Sequence, residues 1–195
     1  MSEIAGAQAT GHPAIPSRDR SEPSDRGLLR AARAGSPQAV EALIERHWNR
    51  AHRIAYGILG DAHAAEDVTQ EAMLLVLGSI GRFDSYRPFQ PWLHRIVSNR
   101  ALDWARARAR RAEVPADEVV PPSEDPAQSA GVDPTLEAAL DALSPDHRAV
   151  IVLRFVAGYG PKETGQVLGI PTGTVGSRLR RALDQLRIDL EVENG

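Results

Sequence analysis

The chain has 195 residues, 42% of them hydrophobic, and 23 Lys and Arg stand against 26 Asp and Glu for a formal net charge of -3. That length allows one or two small domains with real cores, and the charge balance excludes a protein that coats DNA without regard to sequence. With no cysteine, neither a disulfide framework nor a thiolate metal site is possible. The six histidines are scattered; His47 and His52 lie five apart and cannot share a helical face as a zinc-binding i, i+4 pair does. No metal, cofactor or catalytic residue is expected.

Residues 1–26 are rich in Gly, Pro, Ser and charge and are expected to form a disordered extension. They carry no unbroken apolar core behind a basic start, and the longest apolar stretches, AMLLVLGSIG and AVIVLRFVAG, are too short to span a bilayer. The chain therefore reads as cytoplasmic, without direct membrane insertion. Val40, Leu43, Ile44, Trp48, Ala51, Ile54 and Ile58 then recur at helical spacing, and Gly57 and Gly60 are expected to help end that helix. A second helix follows Asp61, a suitable N-cap, through EDVTQEAMLLVLGSI. Its Met73, Leu74, Leu75, Val76 and Leu77 point in every direction, as in the central helix of a bundle. Its early turns carry Glu66, Asp67, Gln70 and Glu71 outward, where acids also complement the helix dipole without any partner.

The segment GRFDSYRPFQPWLHRIVSNRALDWARARARR joins an aromatic loop to a basic helix. Phe89, Trp92, Leu93, Ile96, Val97 and Trp104 supply an inner face, with Arg95, Asn99, Arg100, Asp103, Arg106 and Arg110 on the flanks or outside. Aromatics beside a cationic groove can hold unpaired bases. Trp92 and Trp104 suit a core better than a base platform, whereas Tyr86 and Phe89, in the loop 81–90, fit either role. From 113 to 146 the chain has no Lys or Arg and many acids, a change of sign that marks a boundary, and the Pro-rich stretch 113–134 reads as a linker.

Near the C-terminus, Thr164, Val167 and Leu168 form one apolar edge, and Gly169-Ile170-Pro171 breaks the helix, Gly suiting a left-handed cap and Pro the first turn of the next helix. On that second helix Val175, Leu179, Ala182 and Leu186 point inward, leaving Gly173, Thr174, Ser177, Arg180 and Arg181 opposite. Arg bonds guanine bidentately, and Ser and Thr meet base edges or phosphates, so the layout is that of a DNA-reading helix-turn-helix. An ordinary amphipathic hairpin with a solvated Arg face gives the same pattern.

Taken in order, DAHAAEDVTQEAML, FQPWLHRIVSNRALDWARARARR, the acidic linker and LSPDHRAVIVLRFVAGYGPKETGQVLGIPTGTVGSRLRRALDQLR resemble an extracytoplasmic-function (ECF) sigma factor of the sigma-70 family, over about residues 28–186 without the linker. The resemblance implies an all-α fold of two small helical domains joined by a flexible acidic linker: a disordered extension at 1–26, a sigma-two bundle at 27–112, the linker at 113–134 and a sigma-four helix-turn-helix at 135–195. It also implies a non-enzymatic protein that binds RNA polymerase core through the beta-prime and beta subunits, directs it to promoter DNA and assists melting. An anti-sigma factor is a further expected partner.

By matching position, Asp61, Glu66, Asp67, Gln70 and Glu71 resemble the helix that docks on the beta-prime coiled coil. Phe83, Asp84, Ser85, Tyr86, Arg87 and Phe89, with Arg95, Asn99, Arg100 and Arg106 of the basic helix, resemble the segment that captures a flipped base near minus ten. Thr174, Ser177, Arg180 and Arg181 match the reader of the element near minus thirty-five, with Arg178 on phosphate. Five positions depart from the family pattern: Gly160 and Pro161, Gly165, Thr172 and Gly176. Gly165 leaves open either a close helix approach or a loosened motif. A helix-turn-helix regulator acting without polymerase would leave the acidic helix, aromatic loop and linker unexplained. An enzyme has no support, because the Gly169, Gly173 and Gly176 spacing follows a helix rather than a strand and no phosphate loop is present.

Overall fold

Most helices begin where a side chain can accept from the N–H groups that the first turn leaves open. Ser24 accepts from the Gly27 N–H to start α1 (Asp25–Arg33). Ser36 accepts from the Ala39 N–H at α2 (Pro37–Leu59), and Asp61 from the Ala64 N–H at α3 (Ala62–Ser79). After α4 (Phe89–Ala112), Asp133 caps α5 (Pro134–Ala142) and Ser144 caps α6 (Pro145–Ile151). Proline occupies the first position of α2, α5 and α6, where its missing N–H costs nothing. A π-turn (Val152–Val156) continues α6, followed by α7 (Pro161–Leu168) and α8 (Thr172–Glu193). The computed structural model describes residues 23–84, 86–112 and 133–193, which contain no strand.

Three details differ from the sequence reading. The first helix begins at Asp25, inside the stretch 1–26 taken as an extension; residues 1–22 lie outside the described residues, as does 113–132 of the linker. Gly57 does not end α2. The helix runs on to Leu59, and Gly60 closes it in the left-handed conformation (φ 67°), its N–H donating to the Tyr56 carbonyl at 2.8 Å. Gly57 instead makes room for a neighbour: a Cβ there would lie 2.7 Å from a Val152 methyl carbon. Finally, α3 is not surrounded by apolar neighbours toward its C-terminal end, since Leu74 is 69% exposed and Leu75 is exposed as well.

One continuous core joins the two halves of the chain. Leu28, Leu43, Ile54, Ile58, Val68, Met73, Leu93 and Val97 from α1 to α4 share it with Ala149, Val152, Leu153, Ala157, Tyr159 and Val167. Burial of each large aliphatic side chain in it contributes roughly 1.5–3 kcal/mol. A smaller cluster of Ala139, Leu143, Ile151, Ala182 and Leu186 ties α5 and α6 to α8.

Polar contacts cross the same seam. The Tyr159 hydroxyl and His94 Nδ1 share a 2.7 Å hydrogen bond, Arg50 donates to the Ala157 carbonyl at 2.8 Å, and the Tyr56 hydroxyl donates to Glu137 at 3.2 Å. Burial, reinforced by the charges of Arg50 and His47, pushes the His94 pKa down to about 4, and burial pushes the Tyr159 hydroxyl up to about 12. Both groups are therefore neutral near pH 7, the state that a shared hydrogen bond in a sealed seam requires.

Candidate nucleic-acid interface

The α7–α8 pair is set by glycine geometry. Gly169 takes the left-handed conformation (φ 68°), and the Ile170 N–H donates to the Gly165 carbonyl at 3.0 Å. A Cβ on Gly165 would sit 2.8 Å from the Ile170 carbonyl oxygen, so Gly165 serves close approach of the turn rather than loosening the motif. Pro171 stands one position before α8, not within its first turn. Its carbonyl accepts from the Thr174 and Val175 N–H groups at 2.9 and 3.1 Å.

Along α8, Val175, Ala182 and Leu186 are buried and Leu179 is half-buried against the smaller cluster, as the periodicity predicts. The opposite side presents Gly173, Gly176, Arg180 and Arg181 to solvent, and its two arginines make that face cationic. A Cβ on Gly176 would meet nothing within 4 Å. Thr174 and Ser177 are half-buried, and the Ser177 hydroxyl donates to the Thr174 carbonyl at 3.0 Å. Arg178 turns away from that face and pairs with Asp146 at 2.9 Å.

The aromatic segment divides by burial. Phe83 and Phe89 are 7% and 5% exposed, and Phe83 stacks on Trp92 with ring centroids 4.3 Å apart. Phe89, the first residue of α4 rather than a loop residue, meets Phe83 and His47 edge to face. Both rings thus belong to the core and neither presents a face to a base in this conformation, which decides the open alternative for Phe89 in favour of the core and corrects the base-contact assignment that the resemblance implies for both. Tyr86 does present one, at 85% exposure. A turn holds it: the Tyr86 N–H donates to the Asp84 carboxylate at 3.0 Å and the Arg87 N–H to the Asp84 carbonyl at 3.0 Å. The Arg26 guanidinium lies 5.0 Å from the Tyr86 ring centroid, so the ring already holds a cation on one side. Ser85 lies outside the described residues. On α4, Arg95 and Asn99 are exposed, Arg100 reaches Glu71 at 3.3 Å, and Arg106 pairs with Asp146 at 3.0 Å.

The acidic set also divides. Glu66, Asp67, Gln70 and Glu71 are exposed on the outer side of α3, with Gln70 donating to Glu66 at 3.2 Å. Asp61 is not outward: it caps α3 and accepts from Arg108 at 3.2 Å. The exposed Leu74 extends the acidic face by one turn, three residues beyond Glu71. The i, i+3 spacing carried that signal, but the run of apolar letters concealed it. Asp146, which gathers two of the arginines, has no sequence signal of its own.

The sequence model for Sigma-70 region 2 matches residues 43–111 and that for Sigma-70 region 4 matches residues 139–187. The ECF RNA polymerase sigma factor SigM of Mycobacterium tuberculosis is 34% identical over 174 residues, covering 89% of this chain and 88% of SigM. The chain belongs to the ECF sigma factors of the sigma-70 family. This sigma factor is also 40% identical to SigE of Mycolicibacterium smegmatis over 156 residues, which is 75% of this chain, and it spans 60% of the length of that relative. A structure of CnrH in complex with the cytosolic domain of CnrY covers 86% of the sigma factor and 97% of CnrH, with a TM-score of 0.62 and 26% identity. Region 2 takes in the seam residues Gly57 and His94, and region 4 their partners Val152 and Tyr159. No helix among the described residues of the sigma factor is long and apolar enough to cross a membrane.

Proposed function

We propose that this chain binds RNA polymerase core, directs it to specific promoters and assists strand separation, acting as a non-enzymatic initiation factor in the cytoplasm. The observation that carries the reading is the placement of three chemically distinct surfaces on one chain of the sigma-70 family. An acidic face on α3 carries Glu66, Asp67, Gln70 and Glu71, an exposed Tyr86 leads into the basic α4, and a cationic face on α8 carries Arg180 and Arg181. In this reading the first docks on polymerase, the second takes an extruded base near minus ten, and the third reads the element near minus thirty-five. Complementary charge favours the first, base stacking the second and major-groove hydrogen bonding the third. Its domains follow as a sigma-two unit at 27–112 and a sigma-four unit at 135–195. An anti-sigma factor is a proposed further partner, supported by the complex of the related CnrH with the cytosolic domain of CnrY.

In vitro transcription with core polymerase on genomic fragments, with start sites mapped with and without the protein, tests the whole reading. New start sites sharing two spaced elements are expected. Start sites that do not depend on the protein, or binding of a palindromic duplex as a dimer without polymerase, would overturn it.

A further inference from the structure

Asp146 holds two arginines at once. Its Oδ1 accepts from Arg106 Nη2 at 3.0 Å and from Arg178 Nη1 at 2.9 Å, joining the basic helix of region 2 to the recognition helix of region 4 through one oxygen in the first turn of α6. The two guanidinium groups converge as they would on a shared anionic oxygen, and phosphate and carboxylate present the same acceptor chemistry to Arg. While they remain there, each arginine has one donor nitrogen committed to the Asp146 carboxylate, whose negative charge opposes the approach of a DNA phosphate to the pair.

Asp146 does not act in isolation, because the seam around it is closed by packing. Val152 sits against Gly57, Tyr159 bonds His94, Arg50 bonds the Ala157 carbonyl, and α6 and α7 both lie on α4. The Asp146 and Arg178 side chains are about a third exposed or less and that of Arg106 is 47% exposed, so the three groups lie at the rim of the seam, where a solvent-borne competitor can reach them.

We propose that Asp146 is a built-in stand-in for phosphate that latches region 4 onto region 2 and holds Arg106 and Arg178 off DNA until the two regions separate. The proposal rests on the reading of those two arginines as DNA contacts. A closed population lowers apparent affinity by the fraction of molecules that are open, so releasing the latch raises affinity without adding a contact.

The full chain contains no cysteine, so Glu41→Cys on α2 and Gln185→Cys on α8 give a unique pair of spin labels for distance measurement. Binding is read by fluorescence anisotropy with a mixed-sequence 30-base-pair duplex in low salt, since phosphate contacts do not depend on sequence. Asp146→Asn keeps the shape of the side chain and removes its charge. It is expected to move part of the distance distribution to longer separations and to tighten duplex binding about three- to tenfold. Asp103→Asn removes a charge from exposed Asp103, 3.8 Å from Arg106, and is expected to change neither readout. Equal tightening by the two variants would mean that net charge alone is responsible and overturns the latch. An Asp146→Asn chain that does not open overturns it with the DNA reading intact. A chain that opens with unchanged affinity overturns it through the DNA reading itself.

Discussion

The Tyr159 hydroxyl meets His94 Nδ1 at 2.7 Å, inside the seam where region 4 packs on region 2. His94 has no solvent exposure and Tyr159 is 8% exposed, so this is a polar contact within a hydrophobic core. The groups that face it are Arg50 and His47 from α2 and Glu163 from α7.

The burial of His94, reinforced by the charges of Arg50 and His47, makes the seam sensitive to acid. His94 binds a proton less readily here than in a solvated chain, with a pKa of about 4 against 6.5. The packed state is therefore at full stability above pH 6.5 and loses up to about 3 kcal/mol as pH falls from about 6.5 to about 4. Thermal unfolding followed by circular dichroism is expected to show a lower midpoint at pH 5 than at pH 7.5. The difference should shrink in His94→Gln; an equal loss in that variant would assign the acid sensitivity to other groups.

Charge reversal of Asp67 and Glu71 to Lys should weaken binding to polymerase core by tenfold or more while leaving helicity intact, because both carboxylates are exposed on α3. Leu74→Ala, one turn further along, should weaken it as well by removing apolar contact area. Pull-downs at several salt concentrations measure both, and unchanged retention of the charge-reversed protein would refute the docking face.

Tyr86→Ala should abolish permanganate reactivity of promoter thymines with little change in stability, since the ring is 85% exposed. Phe83→Ala and Phe89→Ala should instead destabilise the fold by roughly 3–5 kcal/mol, because each ring packs against other aromatics in the core. If Tyr86→Ala opens promoters as well as the parent chain, the loop does not hold the flipped base.

Arg181→Ala should cost about 1–3 kcal/mol on a cognate promoter and relax preference at one base position. Arg178→Ala should alter all promoters alike and flatten the salt dependence, as befits a phosphate contact. A library of upstream-element variants separates the two. A uniform loss for Arg181→Ala would reassign it to the backbone.

Gly165 and Gly176 should respond to alanine in opposite directions. Gly165→Ala forces a Cβ against the Ile170 carbonyl oxygen and should destabilise the chain by about 1–3 kcal/mol. Gly176→Ala meets open space within an exposed stretch of α8 and should stabilise it by roughly 0.5–1 kcal/mol. Denaturant midpoints decide both.

The helices were legible where periodicity and caps agreed, as with Asp61 before α3 and the Val175, Ala182, Leu186 stripe of α8. Sequence patterns record which side of a helix is apolar, not what covers it. Leu74 therefore looked like core and emerged exposed, while Phe89, which fitted either role, and Phe83, assigned to the base-capturing segment by resemblance, emerged buried. Gly57 read as a stop signal because its true partner, Val152, is distant in sequence. Asp61 read correctly as a cap, but nothing local announces that it also holds Arg108. The pairing of Asp146 with Arg106 and Arg178 joins three helices, and no short-range rule connects them.

The Gly57–Val152 contact also bears on how the chain is made. Translation delivers α1 to α4 well before Val152 exists, so the notch at Gly57 and the surface around His94 emerge from the ribosome uncovered. Contacts between such distant positions form slowly, and apolar surface left waiting is where nascent chains associate wrongly. The newborn protein therefore passes through an interval in which its amino-terminal helices lack the cover that region 4 later supplies.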